Sequence, residues 1–147
     1  MYNLGIWVYY LGIWVASFFN KKAKLWVAGR EAILSKINAQ VTDDQQIIWF
    51  HCASLGEFEQ GRPLIEKIKN HFPKYKILLT FFSPSGYEIR KNYALADYIF
   101  YLPIDTSQNA QKFLEIVQPE IAFFVKYEFW FNYLQQLNQQ RIPTYLI

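Results

Sequence analysis

Short apolar runs recur along the chain and alternate with stretches of helical periodicity. The runs are rich in aromatic and β-branched residues, which favour strands. They occupy residues 47 to 52, 77 to 82, 98 to 102, 121 to 125 and 144 to 147. The amphipathic stretches between them, such as 64 to 69 and 113 to 117, favour helices. Strands that alternate with helices predict βαβ units, and hence an α/β fold with a Rossmann-like, doubly wound parallel sheet.

The amino-terminal segment has a different pattern. Residues 2 to 19 carry no charge and contain LGIWV twice, at a spacing that predicts one face of a helix. At ~1.5 Å per residue such a helix nearly crosses a ~30 Å hydrocarbon core. The basic side chains that follow favour a cytoplasmic location for the rest of the chain; they are Lys21, Lys22, Lys24 and Arg30. We predict an N-terminal membrane-anchoring helix, which either spans the bilayer or lies in its interface; a helix in a soluble core is the alternative.

These patterns divide the chain into three parts. Residues 1–30 form the anchor helix and its basic flank, residues 31–45 are polar and predict a short helix and linker, and residues 46–147 form the α/β domain. Because the chain ends on an apolar run with no helix after it, we expect that the sequence is a fragment.

Composition narrows the possible functions. The chain is 52% hydrophobic and 20% aromatic, which excludes disorder, and its length of 147 residues suits one domain. The net charge of +3 is spread out, so no nucleic-acid footprint is expected. The single cysteine, Cys52, and the isolated histidines His51 and His71 lack the spacing of a metal site. We expect His51 and Cys52 to be core or strand-end residues.

Candidate chemistry lies in the loops at the carboxyl ends of the strands, where parallel sheets bind ligands. After the first strand, Ser54 and Gly56 allow a tight turn and Glu57 begins a helix. The second loop, SPSG (83 to 86), offers a helix cap that suits an anion. The third loop, PIDTS (103 to 107), follows the third strand. The fourth loop, KYEFW (126 to 130), brings Lys126 and Glu128 to the same edge. Each feature also has an ordinary explanation as a helix start, a cap or a surface pair.

Four motifs together resemble a known family. HCASLGEFEQGRP (51 to 63), FFSPSG (81 to 86), YLPIDT (101 to 106) and VKYEFWFN (125 to 132) are similar in order and spacing to the amino-terminal domain of the Kdo transferases. These enzymes move 3-deoxy-D-manno-octulosonic acid (Kdo) from CMP-Kdo to lipid A precursors in lipopolysaccharide biosynthesis. The apolar start and the basic stretch after it also look like the membrane-anchoring start of that family, at the cytoplasmic face of the inner membrane.

The resemblance implies the acceptor-binding, N-terminal half of a GT-B fold, whose missing carboxyl-terminal domain binds the donor. It implies an inverting transfer with no metal and no cofactor, and with CMP-Kdo, a lipid A precursor and the membrane as partners. Glu57 would be the general base that deprotonates the acceptor hydroxyl. The residues expected to bind the acceptor are Ser54, Gly56, Ser83, Ser85, Gly86, Lys126 and Glu128. Glu128 would either bind the acceptor or order its loop.

Two positions bear on the shape of these loops. Many relatives have proline where this chain has Phe131, and Pro63 falls inside the first predicted helix, where it is expected to kink the helix or delay its start. The alternative function is a non-catalytic, membrane-tethered α/β binding module, and a soluble regulatory domain is a more distant one.

Overall fold

The computed structural model describes residues 2–42, 44–126 and 128–147. Five strands form one sheet, and every neighbouring pair is parallel. The strands are β1 (Ile47–Cys52), β2 (Lys76–Phe81), β3 (Tyr98–Tyr101), β4 (Ile121–Phe124) and β5 (Thr144–Leu146). Their order across the sheet is β3-β2-β1-β4-β5, with β1 in the centre. The predicted parallel α/β sheet is confirmed, and each strand lies within one residue of its predicted position.

Helices connect the strands and also precede the sheet. The helices in the described residues are α1 (Tyr2–Ala16), α2 (Lys21–Ala28), α3 (Ile33–Asn38), α4 (Leu55–His71), α5 (Pro84–Arg90), α6 (Ser107–Val117) and α7 (Phe131–Gln139). The helix α4 begins directly after Ser54 and continues through Pro63, so this proline does not delay the start of the helix.

The core lies on both faces of the sheet, because alternate strand residues point to opposite faces. From β1, Ile47 and Trp49 pack in a cluster with side chains of α3, α6 and α7. Ile48, Phe50 and Cys52 pack on the other face, in a cluster with side chains of α4. A sheet covered on both faces explains why its strands are continuous apolar runs.

The segment before the sheet contributes to this core. Ile33 and Ile37 of α3, together with Val41, are buried in the same cluster as Trp49. The predicted domain division at residue 46 stays a prediction, but side chains from residues 31–45 help to stabilise the α/β unit.

The amino-terminal helix packs along the α/β unit. The Tyr2 hydroxyl donates a hydrogen bond to Asp105 Oδ2 at 2.6 Å, and the rings of Tyr9 and Tyr10 lie 6.3 and 6.0 Å from the Trp26 ring. Among the residues that the structure describes, we find no helix with the length and apolar content needed to cross a bilayer. The helix ends at Ala16, so it is shorter than the apolar run, and its role as an anchor stays a prediction.

Arg30 differs from the lysines of the predicted basic flank. Its side chain is buried. Its guanidinium donates to the main-chain oxygens of Trp26, Phe82 and Leu102, and lies 3.8 Å from the Trp26 ring centroid. Arg30 therefore joins α2 to the loops after β2 and β3, whereas Lys21, Lys22 and Lys24 are exposed.

Candidate functional site

The candidate site lies where the chain changes direction across the sheet. Neighbouring strands β1 and β4 are followed by helices that lead to opposite edges, α4 towards β2 and α7 towards β5. At such a switch point the loops after the two strands diverge and leave a crevice at the carboxyl edge. Glu57 lies in the first turn of the helix that follows β1, and Lys126 and Glu128 belong to the loop after β4.

Main-chain hydrogen bonds hold the neighbouring loops together. The Ser83 N–H donates to the Ala53 carbonyl at 2.7 Å, which joins the SPSG loop to the loop after β1. The Val125 N–H donates to the His51 carbonyl at 3.0 Å, which joins the loop after β4 to the end of β1. The first, second and fourth predicted loops are therefore adjacent.

Glu57 lies in the first turn of α4, as expected, and its side chain is partly exposed. The Ser54 hydroxyl donates a hydrogen bond to the Glu57 carboxylate. Partial burial acts to raise the pKa of this carboxyl, but hydrogen bonds from Ser54 and the main chain, with the positive charge of Lys126, outweigh it and lower the pKa. Glu57 is thus held ionised beside a lysine.

Lys126 is exposed and adopts a left-handed backbone conformation, with φ of 63°. Non-glycine residues rarely adopt this conformation, and they are enriched at ligand-binding sites when they do. A hollow of about 400 Å³ adjoins it, lined by Gln60, Lys126, Phe129, Leu146 and Ile147. The conformation of Lys126 turns the chain out of β4 and into the loop that carries Glu128.

Glu128 lies in the loop after β4. Its Oε2 accepts a hydrogen bond from the Trp130 indole N–H at 2.8 Å and lies 3.7 Å from His51 Nε2. Burial raises the pKa of the Cys52 thiol, and the charges of Glu57 and Glu128 raise it further. Glu57 follows β1 and Glu128 follows its neighbour β4, so both acidic residues lie at the edge of the sheet that the sequence predicted for them.

The other predicted site residues have structural contacts, and their roles in binding stay predictions. Ser83 caps α5, since its Oγ accepts from the Ser85 N–H at 3.3 Å, and the two hydroxyls lie 2.9 Å apart. Gly86 is buried, and a Cβ there would approach Phe81 to 2.3 Å, so glycine lets α5 pack closely on β2. Gly56 is exposed in the first turn of α4, and Tyr127 of the fourth motif lies outside the described residues.

A residue of the third predicted loop caps the helix that follows the fourth. Asp105 is buried, and its carboxylate accepts hydrogen bonds from the main-chain N–H groups of Asn132 and Tyr133, in the first turn of α7. Burial raises the pKa of this carboxyl, and the hydrogen bonds from Tyr2, Asn132 and Tyr133 oppose that shift only in part. Sequence reasoning did not single out Asp105, because the helix that it caps begins 26 residues later.

A buried polar network at the end of β1 was also not predicted from the sequence. His51 and Thr80 are register partners on neighbouring strands, and His51 Nδ1 lies 2.9 Å from Thr80 Oγ1. The only sequence signal is that each interrupts an otherwise apolar run. In residues 2–42, 44–126 and 128–147 we find no cluster of three or more His, Cys, Asp or Glu side chains that could hold a metal ion.

The fold and this edge define an α/β domain of the kind that binds its ligand across a switch point between two strands. The profile of a family described as 3-deoxy-D-manno-octulosonic-acid transferase (kdotransferase) matches residues 28–147. Curated proteins named 3-deoxy-D-manno-octulosonic acid transferase are similar: that of Haemophilus influenzae is 31% identical over 99 residues, and that of Aquifex aeolicus is 34% identical over 84 residues. The chain belongs to this family.

The matched segments cover different shares of the two chains. They span 67% of this chain and 23% of the Haemophilus protein, and 56% of this chain and 23% of the Aquifex protein. A bifunctional glycosyltransferase/methyltransferase of Fusobacterium nucleatum is 28% identical over 100 residues, which is 66% of this chain and 16% of that protein. This chain therefore spans about a quarter or less of the length of these relatives.

Proposed function

We propose that this chain is the acceptor-binding part of an inverting Kdo transferase, which transfers Kdo from CMP-Kdo to a lipid A precursor. The observation that carries the proposal is the arrangement at the switch point: in a chain of the Kdo transferase family, Glu57 follows β1, and Lys126 and Glu128 follow the neighbouring strand β4 at the same edge of the sheet. This arrangement provides a base, a cation and a second acid beside a crevice.

Glu57 is the proposed general base. Its carboxylate takes the proton from the acceptor hydroxyl while that oxygen attacks the anomeric carbon of the sugar. Its lowered pKa keeps the carboxylate ionised at neutral pH, so the base is in the correct protonation state, although a low pKa makes it a weaker base. Exclusion of water from a closed crevice would offset that weakness.

Lys126 and the loop at 83–86 are the proposed contacts for the anionic groups of the substrates. A Lys ammonium is a flexible point charge that suits a phosphate or a sugar carboxylate, and Lys126 is exposed beside Glu57. Ser54 and Gly56 lie at the start of α4, and Ser83 and Ser85 lie at the start of α5; they supply hydroxyl and main-chain groups for the sugar. The proposed transfer uses no metal ion and no cofactor.

The lipid part of the acceptor fits the surface next to this site. Several large apolar side chains of α1 are exposed, namely Leu4, Trp7, Val8, Leu11, Trp14 and Val15. A groove of about 310 Å³ runs between α1, α2 and the Phe82–Ser83–Pro84 turn, and Tyr9, Ile13 and Trp26 line its apolar wall. We propose that the exposed face of α1 and the neighbouring lysines hold the protein at the cytoplasmic face of the inner membrane.

The donor half of the reaction is assigned to a carboxyl-terminal domain of a GT-B fold. Support for this part of the proposal comes from the length of the relatives, which leaves room for a second domain, and from the position of the crevice at the open edge of the sheet.

The test is a transfer assay with CMP-Kdo and a lipid A precursor on the complete protein. We expect Glu57→Gln to lower kcat by at least about 100-fold, because removal of a general base costs typically 10²–10⁴-fold, while the KM for the acceptor changes little. Glu59→Gln is a matched control two residues further along α4, and we expect it to keep wild-type turnover.

Near-normal turnover by Glu57→Gln would remove the catalytic assignment. A wild-type protein that binds the lipid acceptor but transfers no sugar would favour the binding module instead.

A further inference from the structure

His51 is a fully buried titratable residue to which the proposed reaction assigns no step. It lies at the carboxyl end of β1, between β2 and β4. Its Nδ1 lies 2.9 Å from Thr80 Oγ1, and its Nε2 lies 3.0 Å from the Trp130 indole nitrogen. Both ring nitrogens are therefore engaged, one with the sheet and one with the fourth loop.

The chemistry of these partners fixes where the proton of His51 resides. The Trp130 indole N–H can only donate, so His51 Nε2 must accept from it and is unprotonated. The neutral ring then carries its proton on Nδ1, which donates to Thr80 Oγ1. Thr80 Oγ1 also accepts from the Trp49 indole N–H at 2.8 Å and donates to the Phe50 carbonyl at 3.4 Å, which is consistent with this proton arrangement.

The same indole N–H reaches the carboxylate of the fourth loop. Trp130 Nε1 donates to Glu128 Oε2 at 2.8 Å as well as to His51, so one N–H group joins the buried histidine to the acidic side chain at the crevice. Trp130 also packs against Phe82, with ring centroids 4.6 Å apart, and this contact limits the movement of the indole.

We propose that His51, as the neutral Nδ1–H tautomer, is a positioning residue that holds Trp130 and thereby Glu128 in place at the acceptor crevice. This inference rests on the proposed function for its catalytic consequence. The hydrogen-bonded arrangement itself can be tested without any transfer reaction. Protonation of His51 would turn Nε2 into a donor that can no longer accept from Trp130, and the group that faces it would then be Glu128 Oε2, 3.7 Å away.

Burial favours the neutral ring that this role requires. Complete burial lowers the pKa of His51, and the charge of Arg30 lowers it further, whereas Glu128 and Thr80 oppose the shift only in part. His51 is therefore neutral at pH 7, where the transferase would act.

The tautomer is tested by NMR on the complete protein labelled with 15N-histidine, with His51→Gln used to assign the signals. We expect an unprotonated Nε2 and a protonated Nδ1 at pH 7. A protonated Nε2 would overturn the proposal whether or not the protein transfers Kdo, whereas an inactive protein with the expected tautomer would contradict only the proposed function.

The positioning role is tested by a double-mutant cycle between His51→Leu and Trp130→Phe. We expect each single variant to raise the KM for the lipid acceptor about tenfold with less effect on kcat, and the double variant to lose no more than either single variant. His51→Gln keeps an acceptor for the indole N–H, so it should show little of the increase in KM that His51→Leu causes. Additive losses, or no rescue by glutamine, would overturn the proposal.

A structural control separates positioning from loss of stability. Phe113→Leu removes packing against Trp49, whose ring centroid is 4.8 Å from that of Phe113, but it removes no hydrogen-bonding group of the histidine network. We expect it to lower the unfolding midpoint without changing the KM or the tautomer.

The double-mutant cycle between His51→Leu and Trp130→Phe can also be measured by urea unfolding. It should show an equilibrium coupling of about tenfold between the two residues, and this measurement needs no activity.

Discussion

At the scale of single residues, Arg30 illustrates how a buried charge can be satisfied without a carboxylate. Its guanidinium donates to three main-chain oxygens and lies near the rings of Trp26, Phe82 and Tyr101. Burial lowers the pKa of Arg30 to about 9, which reflects the cost of removing the cation from water. The fork of N–H donors offsets that cost, because three oxygens from separate segments can be reached at once.

We expect Arg30→Lys to destabilise the protein by about 2–4 kcal/mol. A lysine carries the charge but cannot span three separate carbonyls, so buried acceptors lose their donors. Urea unfolding at pH 7 measures the change. Arg62→Lys is the matched control, since Arg62 is exposed and pairs with the surface glutamates Glu59 and Glu66, and its effect should stay within about 0.5 kcal/mol. Equal effects of the two substitutions would contradict this account of Arg30.

The residues of the site differ in how far the sequence could reveal them. Glu57 and Glu128 follow apolar strands directly, so strand prediction and the rule for parallel sheets suffice to place them at one edge. The contact between His51 and Thr80 depends on the register of two strands separated by a whole helix, which no local pattern encodes. Arg30 looked like part of a basic flank, because its acceptors are main-chain atoms that leave no trace in the sequence.

At the scale of elements, the strands were predictable because a sheet buried on both faces requires unbroken apolar runs. The end of α1 was not predictable from hydrophobicity, because the apolar run extends to Phe19 while the helix ends at Ala16. The change of direction is set by Asn20, whose side-chain oxygen accepts from the N–H groups of Lys22 and Ala23 at 2.8 and 3.2 Å. An asparagine before a lysine-rich helix is an N-cap signal, and here it outweighs continued hydrophobicity.

We expect Gln118→Gly to stabilise the protein by about 0.5–1 kcal/mol. Gln118 ends α6 in a left-handed conformation, with φ of 43° and ψ of 55°, which costs energy for a residue with a Cβ and little for glycine. Thermal unfolding measures the gain.

The matched control is Gln140→Gly at the end of α7. Gln140 has φ of −84°, so glycine brings no relief there and only adds flexibility to the unfolded chain. We expect a lower unfolding temperature for this variant. A gain of the same size at both positions would show that left-handed strain is not the cause.

At the scale of the whole molecule, α1 has two distinct faces. One face packs on α2 and on the turn after β2 through Tyr9 and Tyr10, and the opposite face exposes residues such as Leu11 and Val15. The lipid-facing surface that we propose is therefore joined, through the packing of Tyr9 and Tyr10, to the turn after β2 at the carboxyl edge of the sheet.

We expect the protein to sediment with vesicles that contain anionic phospholipid, and a Leu11→Glu/Val15→Glu variant to bind at least about tenfold more weakly. Both side chains are exposed on the proposed lipid-facing face, where charges oppose insertion. The control, Ser107→Glu/Gln108→Glu, adds the same charge to an exposed turn of α6 and should bind like the wild type. Equal binding by all three proteins would contradict the proposed membrane face.

The contact of Tyr2 with Asp105 also has a practical consequence for protein engineering. Asp105 caps α7, and Tyr2 donates to the same carboxylate, so the first turn of α1 lies beside the loop that carries Glu128. A purification tag or fluorescent fusion attached ahead of Tyr2 would emerge next to the crevice and compete with substrates for that space, and attachment at an exposed loop on the far edge of the sheet would avoid such interference.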